Sequence, residues 1–219
     1  MTRYDKRVQT LAVGLSALAG YVDALGFIHL GGFFVSFMSG NSTRLGVGLI
    51  DPAHNAAIAA ALIGLFVVGV VLGSLVGRWA RDHRRAVILS LVGIILAVAA
   101  ALNALGVTNP AVALMAIAMG AENAVFERDG EAHIGLTYMT GTLVKLGQRA
   151  ADALTGGRRF AWVSYLFLWL GLVFGAVAGA VTYPQIGLGG LWIATGFALA
   201  LAVAAALTND GDHAVRARP

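Results

Sequence analysis

The chain has 219 residues, 58% of them hydrophobic and 12% charged, with a mean hydropathy of +0.80, whereas soluble domains are about 25% charged. That composition excludes an ordinary globular protein and points to lipid. Zero cysteines exclude a disulfide framework and a thiolate metal site, and the net charge of +4 raises nucleic acid only until the charges are placed along the chain.

Taken in order, a short charged tail with Arg3, Lys6 and Arg7 leads into a first apolar segment over 10–30, broken by Ser16, Tyr21, Asp23 and His29. Ala17-Leu18-Ala19 looks like a signal-peptide cleavage site, but the apolar run continues to Leu30, which favours a spanning helix. A polar, Gly-rich motif occupies 33–49, and a turn covers 51–55. Residues 56–76 form an apolar run of spanning length. After the basic loop at 78–85, a third span covers 86–105. Pro110 suits a helix start, and the span over 111–126 carries Glu122 and Asn123 near its end. A charged segment at 127–133 precedes a second motif over 137–154, spans over 160–181 and 186–207 follow, and a polar tail runs from 208 to 219.

The two motifs repeat one another. Phe37-Met38-Ser39-Gly40-Asn41 aligns with Tyr138-Met139-Thr140-Gly141-Thr142, and Arg44-Leu45-Gly46 with Lys145-Leu146-Gly147. This indicates an internal duplication, with repeats over 8–105 and 109–207.

Charge then sets the topology. If both motifs are re-entrant and the N-terminus is cytoplasmic, the cytoplasmic side holds Arg3, Lys6, Arg7, Arg78, Arg81, Arg84, Arg85, Arg128, Lys145, Arg149, Arg158, Arg159, Arg216 and Arg218. Those are fourteen of the fifteen Lys and Arg, as the positive-inside rule requires. The basic balance is therefore a topology signal, and nucleic acid drops out as a partner. Three spans per repeat is an odd number, so the halves lie in opposite orientations. The expected fold is all-α and integral to the membrane: six transmembrane helices as two inverted three-helix repeats, each with a re-entrant or broken half-helix after its first span.

The chemistry follows from that frame. Gly40 and Gly141 would permit a sharp reversal at each dip. Ser39 or Asn41, and Thr140 or Thr142, suit N-caps of the returning half-helices, whose N-termini would form anion or carbonyl-oxygen sites. Arg44 and Lys145 lie in the first turns and add charge; the alternatives are a snorkelling arginine and, for 137–154, an amphipathic helix on the cytoplasmic surface. Asp23 and Glu122 match within one residue across the repeat, and intramembrane acids call for partners. Arg44 is the expected partner of Asp23 and Lys145 that of Glu122, either within a solute pathway or as structural pairs. His29 and His133 read as interfacial, and an Asp23–His29–Ser39 hydrolase triad lacks the surroundings of a nucleophile elbow.

Gly20-Tyr21-Val22-Asp23-Ala24, Met38-Ser39-Gly40-Asn41, Ala118-Met119-Gly120 with Asn123-Ala124, and Tyr138-Met139-Thr140-Gly141-Thr142-Leu143 together resemble the bacterial YoaK / DUF1275 family of membrane proteins. The family pattern has Thr where Ser39 stands and Gln where Glu122 stands, which implies that an ionised acid at 122 is not essential to the family. The resemblance implies no established activity.

The expected function is a transporter or channel for a small polar or anionic solute across the bacterial cytoplasmic membrane, working between the two Gly-centred turns. Asp23, Ser39, Gly40, Asn41, Arg44, Glu122, Asn123, Thr140, Gly141, Thr142 and Lys145 are its candidate residues. No catalytic residues, cofactor or metal are expected, and both termini are read as cytoplasmic. The alternative is a non-transporting membrane protein, either an embedded enzyme or an assembly subunit. Besides lipid and solute, a second copy is an expected partner through small-residue faces such as Gly69/Gly73 and Gly175/Gly179.

Overall fold

The computed structural model describes residues 6–51, 55–128, 131–132 and 139–216, with side chains at 128, 131–132 and 208–216 left out. His133, the first two positions of the second motif and the side chains of the tail lie outside that description. Among the described residues the regular secondary structure is helical apart from a two-residue antiparallel pairing of Glu127–Arg128 (β1) with Glu131–Ala132 (β2). The α-helices are α1 (Lys6–His29), α2 (Met38–Gly48), α3 (Ala56–Ala80), α4 (Arg84–Ala104), α5 (Thr108–Glu122), α6 (Met139–Leu154), α7 (Val163–Ile186) and α8 (Leu191–Arg216).

Four helical runs are long and apolar enough to cross a membrane: Lys6–His29, Ala56–Ala104, Thr108–Phe126 and Val163–Leu207. Two of these are far longer than a bilayer's hydrocarbon core, about 30 Å or 20 helical residues, and each is bent into two helices. α3 passes to α4 through a 3₁₀ turn at Arg81–His83, where Arg81 takes a φ of 45°. α7 runs on through Pro184, where the sequence suggests a break, and stops at Gly187, whose φ is 55°.

What holds the helices together is close backbone approach at glycine. α1 packs mainly on α7, α3 on α5, and α4 on α8. A Cβ added to Gly20 of α1 would overlap the carbonyl of Leu172 on α7, and Cβ atoms at Gly175 and Gly179 would run into the carbonyls of Ala17 and Tyr21 on α1. The second pair uses the same pattern: Gly120 of α5 meets the Phe66 carbonyl of α3, while Gly69 and Gly73 meet the carbonyls of Ile117 and Ala121. Shifting α1 forward by 100 positions and α7 back by 106 converts the first set of contacts into the second. Without a hydrophobic drive between helices in lipid, such small-residue contacts allow the van der Waals packing that replaces it. The Gly69/Gly73 and Gly175/Gly179 faces are thus used inside one chain, and are not open to a second copy.

A shared core of Leu15, Leu18, Val22 and Leu25 from α1, Ile88, Leu89 and Val92 from α4, and Met115 and Met119 from α5 fills the centre. Polar side chains within it bond to the backbone, as Ser16 Oγ does to Leu168 O at 2.9 Å and Tyr21 Oη to Gly190 O at 3.1 Å.

Gly20→Ala and Gly120→Ala are expected to lower stability in detergent by about 1–3 kcal/mol each, the usual cost of overpacking. Gly64→Ala, where no described atom lies within 4 Å, should leave thermal unfolding unchanged.

Candidate functional site

The site is built where α1 gives way to α2. Gly31 and Gly32, at φ of 63° and 108°, turn the chain back on itself, a conformation that glycine takes without steric cost. Residues 33–37 then return alongside α1. The N–H groups of Val35 and Ser36 both donate to Asp23 Oδ1 at 2.8 Å. Asn41, fully buried, reaches back from α2: its Oδ1 accepts the Phe34 N–H at 3.0 Å and its Nδ2 donates to the Phe34 carbonyl at 2.6 Å. Two side chains thereby bond the N–H groups of three successive non-helical residues and the Phe34 carbonyl. Asp23 lies six residues before the end of α1, about 9 Å along the helix, so α2 begins well inside the length of α1. At eleven residues α2 is about 16 Å long, half a bilayer core.

This geometry corrects several expectations. The reversal is at Gly31 and Gly32; Gly40 lies in the first turn of α2, where its missing side chain admits the rings of Phe37 and Phe34, 2.7 and 2.9 Å from a built Cβ. Ser39 is exposed and Asn41 bonds backward, so neither caps α2. Gly141 is likewise helical, within α6. Among the described residues nothing crowds it.

The two expected ion pairs are absent. Arg44 stacks over the Phe33 ring, 4.9 Å from its centroid, with its guanidinium against Gly32, while Asp23 is held by backbone N–H groups. Lys145 is exposed on α6, and Glu122 is completely buried with neither oxygen bonded. Burying the lysine beside Glu122 would cost side-chain solvation that an amphipathic surface position avoids. The packing register of the glycines also pairs Asp23 with Asn123, and Glu122 with Val22. Asn123 is buried and donates to Met119 O at 2.9 Å. Thr140 is exposed and Thr142 buried. His29 bonds Tyr183 Oη through Nδ1 at 3.0 Å, so Asp23, His29 and Ser39 form no triad.

A cavity of about 650 Å³ opens beside Asp23, between α1, α7 and the 34–37 loop. Asp23 and Ser36 give it polarity; Phe27, Phe34, Phe37, Leu172 and Ala176 make it otherwise apolar. Met139, the first residue of α6, also lines it. The residues that lead into α2 and Met139 of α6 therefore meet one cavity. α6 otherwise touches mainly α7 and leaves Leu143, Val144 and Leu154 exposed, a face suited to a lipid interface.

A second polar cluster joins α3, α4 and the end of α5. Glu127 Oε2 lies 2.8 Å from Arg84 Nη2 and accepts from Ser74 Oγ at 2.6 Å, and Arg84 Nε donates to Ala124 O at 3.0 Å. Ser74, Arg84 and Glu127 were not singled out from sequence as a site; the lone hydroxyl in the apolar run at 56–76 was the available signal. Thr195, buried with its hydroxyl unpartnered, is another such lone group, in α8.

The family model described as "Protein of unknown function (DUF1275)" matches residues 11–204. The chain belongs to the DUF1275 family. It is 36% identical over 196 residues to UPF0700 transmembrane protein RA0705 of Rhizobium meliloti (strain 1021), covering 89% of this chain and 84% of that protein. It is 34% identical over 148 residues to UPF0700 transmembrane protein YoaK of Bacillus subtilis (strain 168), covering 63% of this chain and 64% of that one. No solved structure matches. With its apolar helices, this membership makes the DUF1275 chain a membrane protein.

Asp23→Ala would strand the Val35 and Ser36 N–H groups, at about 1–3 kcal/mol per buried donor, and should lower the melting temperature clearly. Because Asp23 and Arg44 do not meet, Asp23→Asn and Arg44→Gln should be additive in a double-mutant cycle, within about 0.5 kcal/mol. Strong non-additivity would restore the ion pair.

Proposed function

We propose that this protein carries a small polar solute across the bacterial cytoplasmic membrane, between the inner ends of α2 and α6, as six crossings arranged in two inverted repeats. The observation that carries the reading is the meeting of both motifs at one cavity: Phe34, Ser36 and Phe37, which lead into α2 and lie beside Asp23, and Met139 of α6. Paired half-helices ending at the membrane midplane are a recurring architecture of transporters, and irregular backbone at that depth persists where it is packed in protein or lines a cavity.

The inverted repeat is supported by the exchange of equivalent contacts, α1 with α7 and α5 with α3. Charge supports the orientation: the basic turn around Arg81–His83 belongs on the cytoplasmic side with both termini.

Between the solute classes, placement of charge favours a neutral or cationic polar solute over an anion. The positive end of α2 already faces the Asp23 carboxylate, so its capacity for an anion is taken.

Single cysteines at Leu105, Asp82 and Gln185, all exposed, report orientation in a chain without native cysteine. An impermeant thiol reagent outside should label positions 105 and 185 and spare 82; labelling at 82 would overturn the orientation. In proteoliposomes screened with small polar solutes, wild-type protein should accelerate uptake of at least one. Met139→Trp, which fills the shared cavity, should slow that uptake at least about tenfold, the effect of roughly 1.4 kcal/mol on a barrier. Unchanged uptake in a folded variant would place the path elsewhere.

A further inference from the structure

Glu122 is the buried group that the solute path does not use. Its side chain is fully inaccessible, and neither carboxylate oxygen has a partner. It is also the last residue of α5, where the negative end of the helix dipole opposes an anion. An unpaired carboxylate in such a setting is far costlier than the neutral acid.

Among the described side chains, no packed element supplies a counter-ion. On α4, Arg84 is committed to Ala124 O and Glu127, and Arg85 lies over the Phe126 ring at 5.9 Å. Arg78, the cation of α3, is exposed, as are Lys6 and Arg7 at the start of α1. Elsewhere on α1, Asp23 is bonded to the loop, Tyr21 to Gly190 O and His29 to Tyr183. A metal cation needs several oxygen ligands, and no cluster of three acids or histidines exists among the described residues. The ligand that fits one isolated carboxyl is a proton.

Access is guarded. Beyond Glu122 the chain takes one 3₁₀ turn, Asn123–Phe126, and reaches Glu127, which Arg84 and Ser74 hold. The Arg84 guanidinium lies flat on α3: a Cβ at Gly77 would come within 2.8 Å of its Cζ. We propose that Glu122 is a proton-binding site in the helix core, exchanging its proton with cytoplasmic water only when the Arg84–Glu127–Ser74 clamp opens. The side of exchange rests on the orientation proposed above; the site itself does not. On release the proton passes from the carboxyl oxygen to water and the carboxylate stays behind.

Infrared spectroscopy of the full-length protein in liposomes tests this without any solute. A neutral-carboxyl band should be present at neutral pH in wild type and in Asp23→Asn, and lost in Glu122→Gln. Its shift on transfer to deuterated water should be slow in wild type and about tenfold or more faster in Glu127→Gln, whose opening costs less. Ser74→Ala serves if Glu127→Gln does not fold. A spectrum unchanged by Glu122→Gln would show an ionised Glu122 and overturn the proton site. Equal exchange rates in wild type and both clamp variants would overturn the guarded route. Failure of the orientation is read separately, from external labelling at position 82 with the band intact.

Discussion

Everything at the candidate site depends on one constraint: a chain that leaves the helix inside a membrane must bond its own backbone. Between α1 and α2 that is done by Asp23 and Asn41, which take up the polar groups of Phe34, Val35 and Ser36. The intramembrane acid is therefore a backbone acceptor first. It fixes where α2 begins, with Phe37, the residue before the helix, lining the cavity. The aromatic stack of Phe27, Phe34 and Phe37, with centroids 4.8 and 5.2 Å apart, closes over Gly40 and fixes the loop from its other side.

Around that loop, glycine contacts set the frame. Each motif is delivered by a first helix that packs on the second long helix of the other half, α1 on α7 and α5 on α3. Neither half can bury its polar break alone, since the partner's backbone supplies the packing surface. The two halves then diverge where chemistry differs. Asp23 holds the first loop, while its counterpart by register, Asn123, is neutral. The Arg84–Glu127–Ser74 cluster has Gly190, Phe27 and Ala180 at the corresponding positions of the other half, so this ionic clamp is not repeated there.

Much of this was legible in the residues. Helix lengths near 20 residues and the turns between them follow from apolar runs, and the matching methionines that the repeat aligns, Met38 and Met139, both lie in motif helices. The pairing of charges was not legible. A carboxylate one helix away from an arginine invites a salt bridge, but the competing donors are backbone N–H groups, which carry no sequence signature. Gly40 and Gly141 drew the turn because glycine permits positive φ; the chain instead spends that freedom at Gly31 and Gly32, and uses Gly40 for ring packing. A one-residue offset between Asp23 and Glu122 hid the true register, which only the glycine contacts reveal. The span expected to end at 181 runs on to Ile186 because the missing N–H of Pro184 is tolerated within α7.

The central claim is that Asp23 holds the 34–37 backbone within the membrane and so starts α2 there. Hydrogen–deuterium exchange of the Val35 and Ser36 amides in the reconstituted protein tests it most directly. The account predicts protection comparable to the interior of α1 in wild type, falling to that of an exposed loop in Asp23→Ala while α7 stays protected. Rapid exchange of both amides in the wild-type protein would contradict it.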